Sequence, residues 1–183
     1  MARQVLFVQG GGEGTHDEWD NKLVDSLSRA LGPGYDIIYP RMPDEADPNY
    51  ARWTAALWQE FAKLDKGALA VGHSIGGTIL INALATDLPD ISMGGILLIA
   101  APFIGEGGWP SHEIKPLGAT LGARLPKGVP VHLYHGSDDD IAPIVHLDLY
   151  AKAIPQAIVH CLNGRDHQLN DDLREVARDI KGL

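Results

Sequence analysis

The chain has 183 residues, 45% hydrophobic and 21% charged, a length and composition suited to one soluble domain with a good-sized core. Its formal net charge of −9 argues against nucleic acid or an anionic membrane as main partner, because both select Lys/Arg patches. No apolar run approaches the ~18 residues of a membrane span, and a lone cysteine, Cys161, excludes an intrachain disulfide.

From the N-terminus, MARQVLFVQGGG carries one basic residue and a short apolar stretch, with glycines where a cleavage site would want other small residues. It reads as a first strand, residues 4–9, in a protein expected to be cytoplasmic. The loop QGGGEGTHDEW follows. It lacks the GK[ST] of a phosphate loop, and Thr15 stands where G-x-G-x-x-G needs its last glycine. The second strand ends Tyr39-Pro40-Arg41 with no acid for a ribose, so a dinucleotide site is not expected. His16 and Asp17 either line a pocket or cap a helix.

The spacing of Trp19, Leu23, Leu27 and Ala30 predicts a helix over 19–31. A strand over 35–39 (YDIIY) comes next. Trp53, Leu57, Phe61 and Leu64 then mark one face of a helix over 49–64 and are core candidates. Further strands are expected at 68–71 (ALAV), 95–100 (GILLIA), 131–134 (VHLY) and 157–162 (AIVHCL). They are short and nearly continuously apolar, as parallel strands buried on both faces should be. Cys161 accordingly reads as a buried strand cysteine. Helices over 75–87, 143–154 (opening with Pro143) and 169–181 complete the alternation. The pattern predicts one domain over 1–183: a three-layer α/β/α sandwich around a parallel sheet of about six strands. Residues 102–128, rich in Gly and Pro, interrupt it as either a lid or a surface segment without a role. Trp109 within them either closes a pocket or simply packs.

The stretch VGHSIGGTIL, residues 71–80, places Ser74 between Gly72 and Gly76, after an apolar strand and before a helix. G-x-S-x-G in that context is a sharp strand-to-helix turn that lifts the serine hydroxyl above the sheet. It also sets the Ile75 N–H at a helix N-terminus, where negative charge is favoured. A serine hydroxyl needs a base, commonly a histidine oriented by a carboxylate. Working residues of such sheets sit at the carboxyl ends of strands. In the chain order serine, acid, histidine, the base is one of His146, His160 and His167. His146 falls inside a predicted helix and His160 inside a strand. His167, in the polar NGRDHQLN after the last strand, is chosen. The acid belongs to HGSDDDIAPI, where proximity alone permits Asp138, Asp139 or Asp140. A second oxyanion donor belongs to the glycine loop: Gly11, with Gly10 and Gly12 as alternatives. His112, His132 and His135 show no metal-ligand spacing, so no metal is assigned.

GHSIGG, HGSDDDIAP and the late GRDH together resemble the three catalytic blocks of the α/β-hydrolase superfamily. Gly136, Asp139 and Pro143 match the G-x-x-D-x-x-x-P spacing found in many hydrolases, which selects Asp139. The short length, the QGGG loop followed by a Trp, and YPRMPDEADPNYARWTAAL are similar to a compact serine-hydrolase branch that includes retinoblastoma-binding-protein-like and YdeN-like proteins. The resemblance implies an α/β-hydrolase fold with a minimal cap and the serine's strand beside the first. It further implies a Ser74–Asp139–His167 triad, a Gly11/Ile75 oxyanion hole, and hydrolysis of small esters, thioesters or amides without cofactor. His73, His16 and Trp109 are the substrate-binding candidates. Two departures stand out: Gln9-Gly10 where many relatives have His-Gly, and Ala142 before the proline in place of a more common valine. The alternative is a non-catalytic binding protein on the same fold.

Overall fold

The computed structural model describes residues 2–87 and 92–183. Strands β1 (Arg3–Val8), β2 (Tyr35–Ile38), β3 (Leu69–His73), β4 (Gly95–Ile99), β5 (Val131–Gly136) and β6 (Ile158–Leu162) form one sheet in the order β2-β1-β3-β4-β5-β6. Every pairing is parallel. Helices α1 (Asp20–Leu31), α2 (Tyr50–Phe61), α3 (Ser74–Thr86), the single turn α4 (Leu121–Arg124), α5 (Val145–Ala153) and α6 (Arg174–Gly182) cover it. The architecture is the expected α/β/α sandwich, with the serine's strand beside the first.

Strand alternation sorts the core into two layers. Val5 and Phe7 face Leu23, Leu27, Val176 and Ile180 of α1 and α6, all fully buried. Leu6 and Val8 face the opposite layer, which holds Trp53, Leu57 and Phe61 of α2 and Ile79, Leu80 and Leu84 of α3. Helix α3 is buried nearly all round, as a helix packed between sheet and other helices must be. Asn49 caps α2, its side chain accepting from Arg52 N at 3.0 Å.

Three elements differ from expectation. The first helix begins at Asp20, preceded by a wide π-type turn, Thr15–Trp19, so Trp19 leaves the core stripe and stands half-exposed. Residues 169–171 form a separate 3-10 turn with left-handed φ at Leu169, Asn170 and Asp171, and α6 starts only at Arg174. Mutual Asp166–Asn170 hydrogen bonds, backbone to side chain in both directions, tie this turn to the loop before it. Finally, β6 is an edge strand: Ile158 and Val159 are 52% and 44% exposed, and Cys161 is exposed rather than buried. Continuous apolar sequence marked the strand correctly but not its place at the sheet edge.

Residues 102–128 fold down onto the core. Phe103, Ile104, Ile114, Leu121 and Leu125 are buried in the α2/α3 layer. Thr78 Oγ1 and Tyr150 Oη both donate to the Pro102 carbonyl, at 2.6 and 3.1 Å. Among the described helices none is long and apolar enough to cross a membrane.

Candidate active site

Strand register fixes where the loops meet. Val8 pairs with Gly72, so the glycine loop after β1 emerges beside the turn after β3. Gly136 pairs with Leu162, so the loops after β5 and β6 emerge together at the same carboxyl edge. A Cβ on Gly136 would overlap the Arg165 carbonyl, which is why glycine lets these two loops approach.

Ser74 opens α3 at φ 50°, the left-handed region that non-glycine residues rarely adopt. The turn is possible because its flanks are bare: a Cβ on Gly76 would overlap the Gln9 carbonyl, and one on Gly72 would meet the backbone of Gly77. The raised hydroxyl lies 2.9 Å from His167 Nε2. His167 Nδ1 is 2.7 Å from Asp139 Oδ2. Asp139 is buried, while its neighbours Asp138 and Asp140 are exposed. Its Oδ1 accepts from the Ile141 and Ala142 amides at 2.9 and 2.8 Å. His135 Nε2 adds a contact to Oδ2 at 3.1 Å. Burial alone would raise the Asp139 pKa, but the His135 and His167 hydrogen bonds, the His167 charge and the Ala142 amide hold it far below the usual carboxylate range. His167 is pushed down. Burial leads, the Asp139 hydrogen bond opposes it, and His73 and His135 reinforce the lowering.

The glycine loop narrows the choice of a second donor. Gly10 N donates to Asp20 Oδ2 at 2.7 Å and Gly12 N to the Glu45 carbonyl at 2.6 Å. Gly11 N lies between them with no acceptor among the described residues. Ile75 lies in the first turn of α3, whose N–H groups lack intrahelical acceptors. The unexpected Gln9 is fully buried; its amide receives Met42 N at 3.0 Å and donates to Glu45. Glu45 also accepts from Gly14 N and His16 N, so one carboxylate anchors the whole loop.

A cleft of about 390 Å³ opens over Ser74 and His167, walled by Gly10, Gly11, Gly12, Trp19 and Ile141, with Glu13, Asp140 and Asp166 at its edge. The three substrate-binding candidates lie elsewhere or are turned inward. His73 is 1% exposed, with Nδ1 on Asp20 Oδ2 at 2.9 Å and Nε2 on the His167 carbonyl at 3.1 Å, so its ring is not free for substrate. His16 stacks on Tyr39 at 4.2 Å and pairs with Asp17, outside the cleft wall. Trp109 packs edge-on against His146 and does not reach the cleft, because residues 102–128 lie against the core. The apolar wall comes instead from Trp19 and Ile141. Trp19 was assigned to a helix face; only the wide turn ahead of α1 turns it outward.

Sequence reasoning also missed Asp20, His135 and Gln168. Buried His73 and Asp20 shift in opposite directions. Burial is outweighed by their mutual attraction, which raises His73 and, with the Gly10 and Gln168 hydrogen bonds, lowers Asp20. Away from the cleft, His132, His160 and Asp179 bring ligand-type atoms together across β5, β6 and α6, a grouping invisible to linear spacing. His132 Nδ1 and His160 Nε2 are 3.1 Å apart with rings 9° from parallel, the geometry of a ring-to-ring hydrogen bond.

A sequence profile described as the alpha/beta hydrolase family matches residues 5–180. No curated protein matches significantly. Among solved structures, the fold is similar to the ydeN gene product from B. subtilis (TM-score 0.76, 20% identity, covering 99% of this chain and 98% of that one). It is likewise similar to Est1E from Butyrivibrio proteoclasticus (TM-score 0.73, 16% identity, 99% and 86%). The esterase domain of a Rhodothermus marinus protein is a third (TM-score 0.68, 21% identity, 98% and 85%). At these identities the likeness is one of fold.

Proposed function

Because the chain belongs to the alpha/beta hydrolase family, we propose that it is a serine hydrolase of the carboxylesterase type, cleaving small esters, thioesters or amides through an acyl-enzyme. The observation that carries this reading is the continuous chain Ser74 Oγ–His167 Nε2 at 2.9 Å and His167 Nδ1–Asp139 Oδ2 at 2.7 Å, at the floor of an open cleft. Esterases among the similar structures agree with acyl transfer.

Ser74 Oγ attacks the acyl carbonyl as His167 Nε2 takes its proton. Asp139 keeps the Nδ1 proton on the inner nitrogen and stabilises the imidazolium that forms. The Ile75 and Gly11 N–H groups receive the oxyanion, each such donor being worth about 3–4 kcal/mol of barrier. His167 then protonates the leaving group, and water repeats the cycle on the acyl-enzyme. Trp19 and Ile141 supply apolar surface for a short acyl or alkyl group.

A series of p-nitrophenyl esters of increasing acyl length tests this. The wild-type chain turns over the short members, and Ser74→Ala reduces the rate to background. Equal turnover by the Ser74→Ala variant would refute the proposal.

A further inference from the structure

We propose that the buried Asp20–His73 pair is a positioning unit for the catalytic groups, a carboxylate–imidazolium pair that locks the β1 loop and the His167 segment onto the Ser74 turn. The proposal deepens the serine-hydrolase reading and rests on it, since that mechanism makes no use of either residue.

Asp20 and His73 are 0% and 1% exposed. Such burial of two ionisable side chains calls for a full set of partners, and they have one. Asp20 Oδ2 accepts from Gly10 N at 2.7 Å and faces His73 Nδ1 at 2.9 Å. Oδ1 accepts from Gln168 Nε2 at 3.4 Å. His73 Nε2 meets the His167 carbonyl at 3.1 Å. A carbonyl oxygen only accepts, so Nε2 carries a proton. Asp20 accepts from two amide donors, one on each oxygen, the arrangement of an ionised carboxylate. A bare Nδ1 lone pair would repel the Oδ2 it faces at 2.9 Å, so Nδ1 carries a proton too. The ring is therefore a cation.

The pair joins separate parts of the chain: Asp20 opens α1, His73 ends β3 beside Ser74, and His167 and Gln168 follow β6. Pinning Gly10 N leaves Gly11 N as the loop donor beside the turn. Pinning the His167 carbonyl restrains its backbone, while Asp139 independently restrains its ring. The fixed charge also acts on the base. The His73 and His167 rings lie 5.0 Å apart. The ionisable groups facing His167 are Asp139, His135 and His73, with Asp20 behind His73 and Asp140 and Asp166 at the cleft edge. A cation at His73 disfavours a second one at His167, so removing it makes His167 easier to protonate.

Two measurements on the full chain test the proposal. Nitrogen-15 NMR of the wild-type protein is expected to show both His73 ring nitrogens protonated at neutral and mildly alkaline pH. A ring with one bare nitrogen would overturn the ion pair. The variants His73→Gln and Asp20→Asn, checked for folding by circular dichroism, are expected to lose about 10²-fold in kcat on a p-nitrophenyl ester, the scale of a small misplacement, with KM nearly unchanged. His73→Gln should also move the acid limb of kcat/KM to higher pH, which a loss of packing alone would not do. A folded His73→Gln enzyme with wild-type kcat and pH profile would overturn the positioning role. If Asp20→Asn does not fold, His73→Gln and the NMR measurement decide. A wild-type chain that cleaves no ester would count against the hydrolase reading, and the NMR result would still decide the state of the pair.

Discussion

Ser74 holds a backbone conformation that costs of order 1–3 kcal/mol for a residue with a side chain. Its neighbours are chosen for that conformation. Gly76 sits against the Gln9 carbonyl and Gly72 against Gly77, so the motif's glycines are legible in sequence as steric necessities. Asp139 was harder to single out among three adjacent aspartates. What distinguishes it is burial and two backbone amides folded over its Oδ1, which only the turn after β5 supplies. Asp20 left no signal at all, because its partner His73 lies 53 residues away. On the proposed mechanism, the lowered pKa of His167 has a direct kinetic consequence. A general base must be unprotonated, and a depressed value keeps it so to lower pH. The acid limb of kcat/KM for a neutral ester is therefore expected below the ordinary histidine value of about 6.5. A limb above that value would show that the histidine which titrates in catalysis is not in the environment described here.

At the scale of elements, short apolar runs located the six strands among the described residues, and periodicity located the core faces of α1 and α2, where Leu23, Leu27, Trp53, Leu57 and Phe61 are buried. Neighbour relations across the sheet were beyond it. A strand of apolar residues looks the same in the middle of a sheet as at its edge, so β6 and Cys161 were read as covered when their outer side faces solvent. Cys161 is consequently expected to react with Ellman's reagent in the folded protein, one equivalent per chain, without denaturant. Reaction only after unfolding would place β6 under cover. Residues 102–128 show the same limit from the other side. Glycine and proline content marked them as irregular, but their anchorage through Pro102 and their buried apolar side chains make them part of the core layer.

Over the whole molecule, the alternation of short apolar strands with amphipathic helices was enough to anticipate a parallel sheet with helices on both faces. The carboxyl-edge rule then gathered Ser74, His167, the glycine loop and the aspartates 138–140 from distant stretches of chain, and the resemblance to α/β-hydrolases selected Asp139 among the three. Cleft walls did not follow, since Trp19 and Ile141 depend on how two loops turn at their ends. The fold leaves the serine open to solvent through a cleft of about 390 Å³, so a small electrophile should reach it without any rearrangement. The most direct measurement is to expose the full chain to a fluorophosphonate and locate the adduct by peptide mass spectrometry. One adduct on Ser74 is predicted, absent from Ser74→Ala and formed far more slowly by His167→Ala; an adduct on another residue, or undiminished labelling of Ser74→Ala, would contradict it.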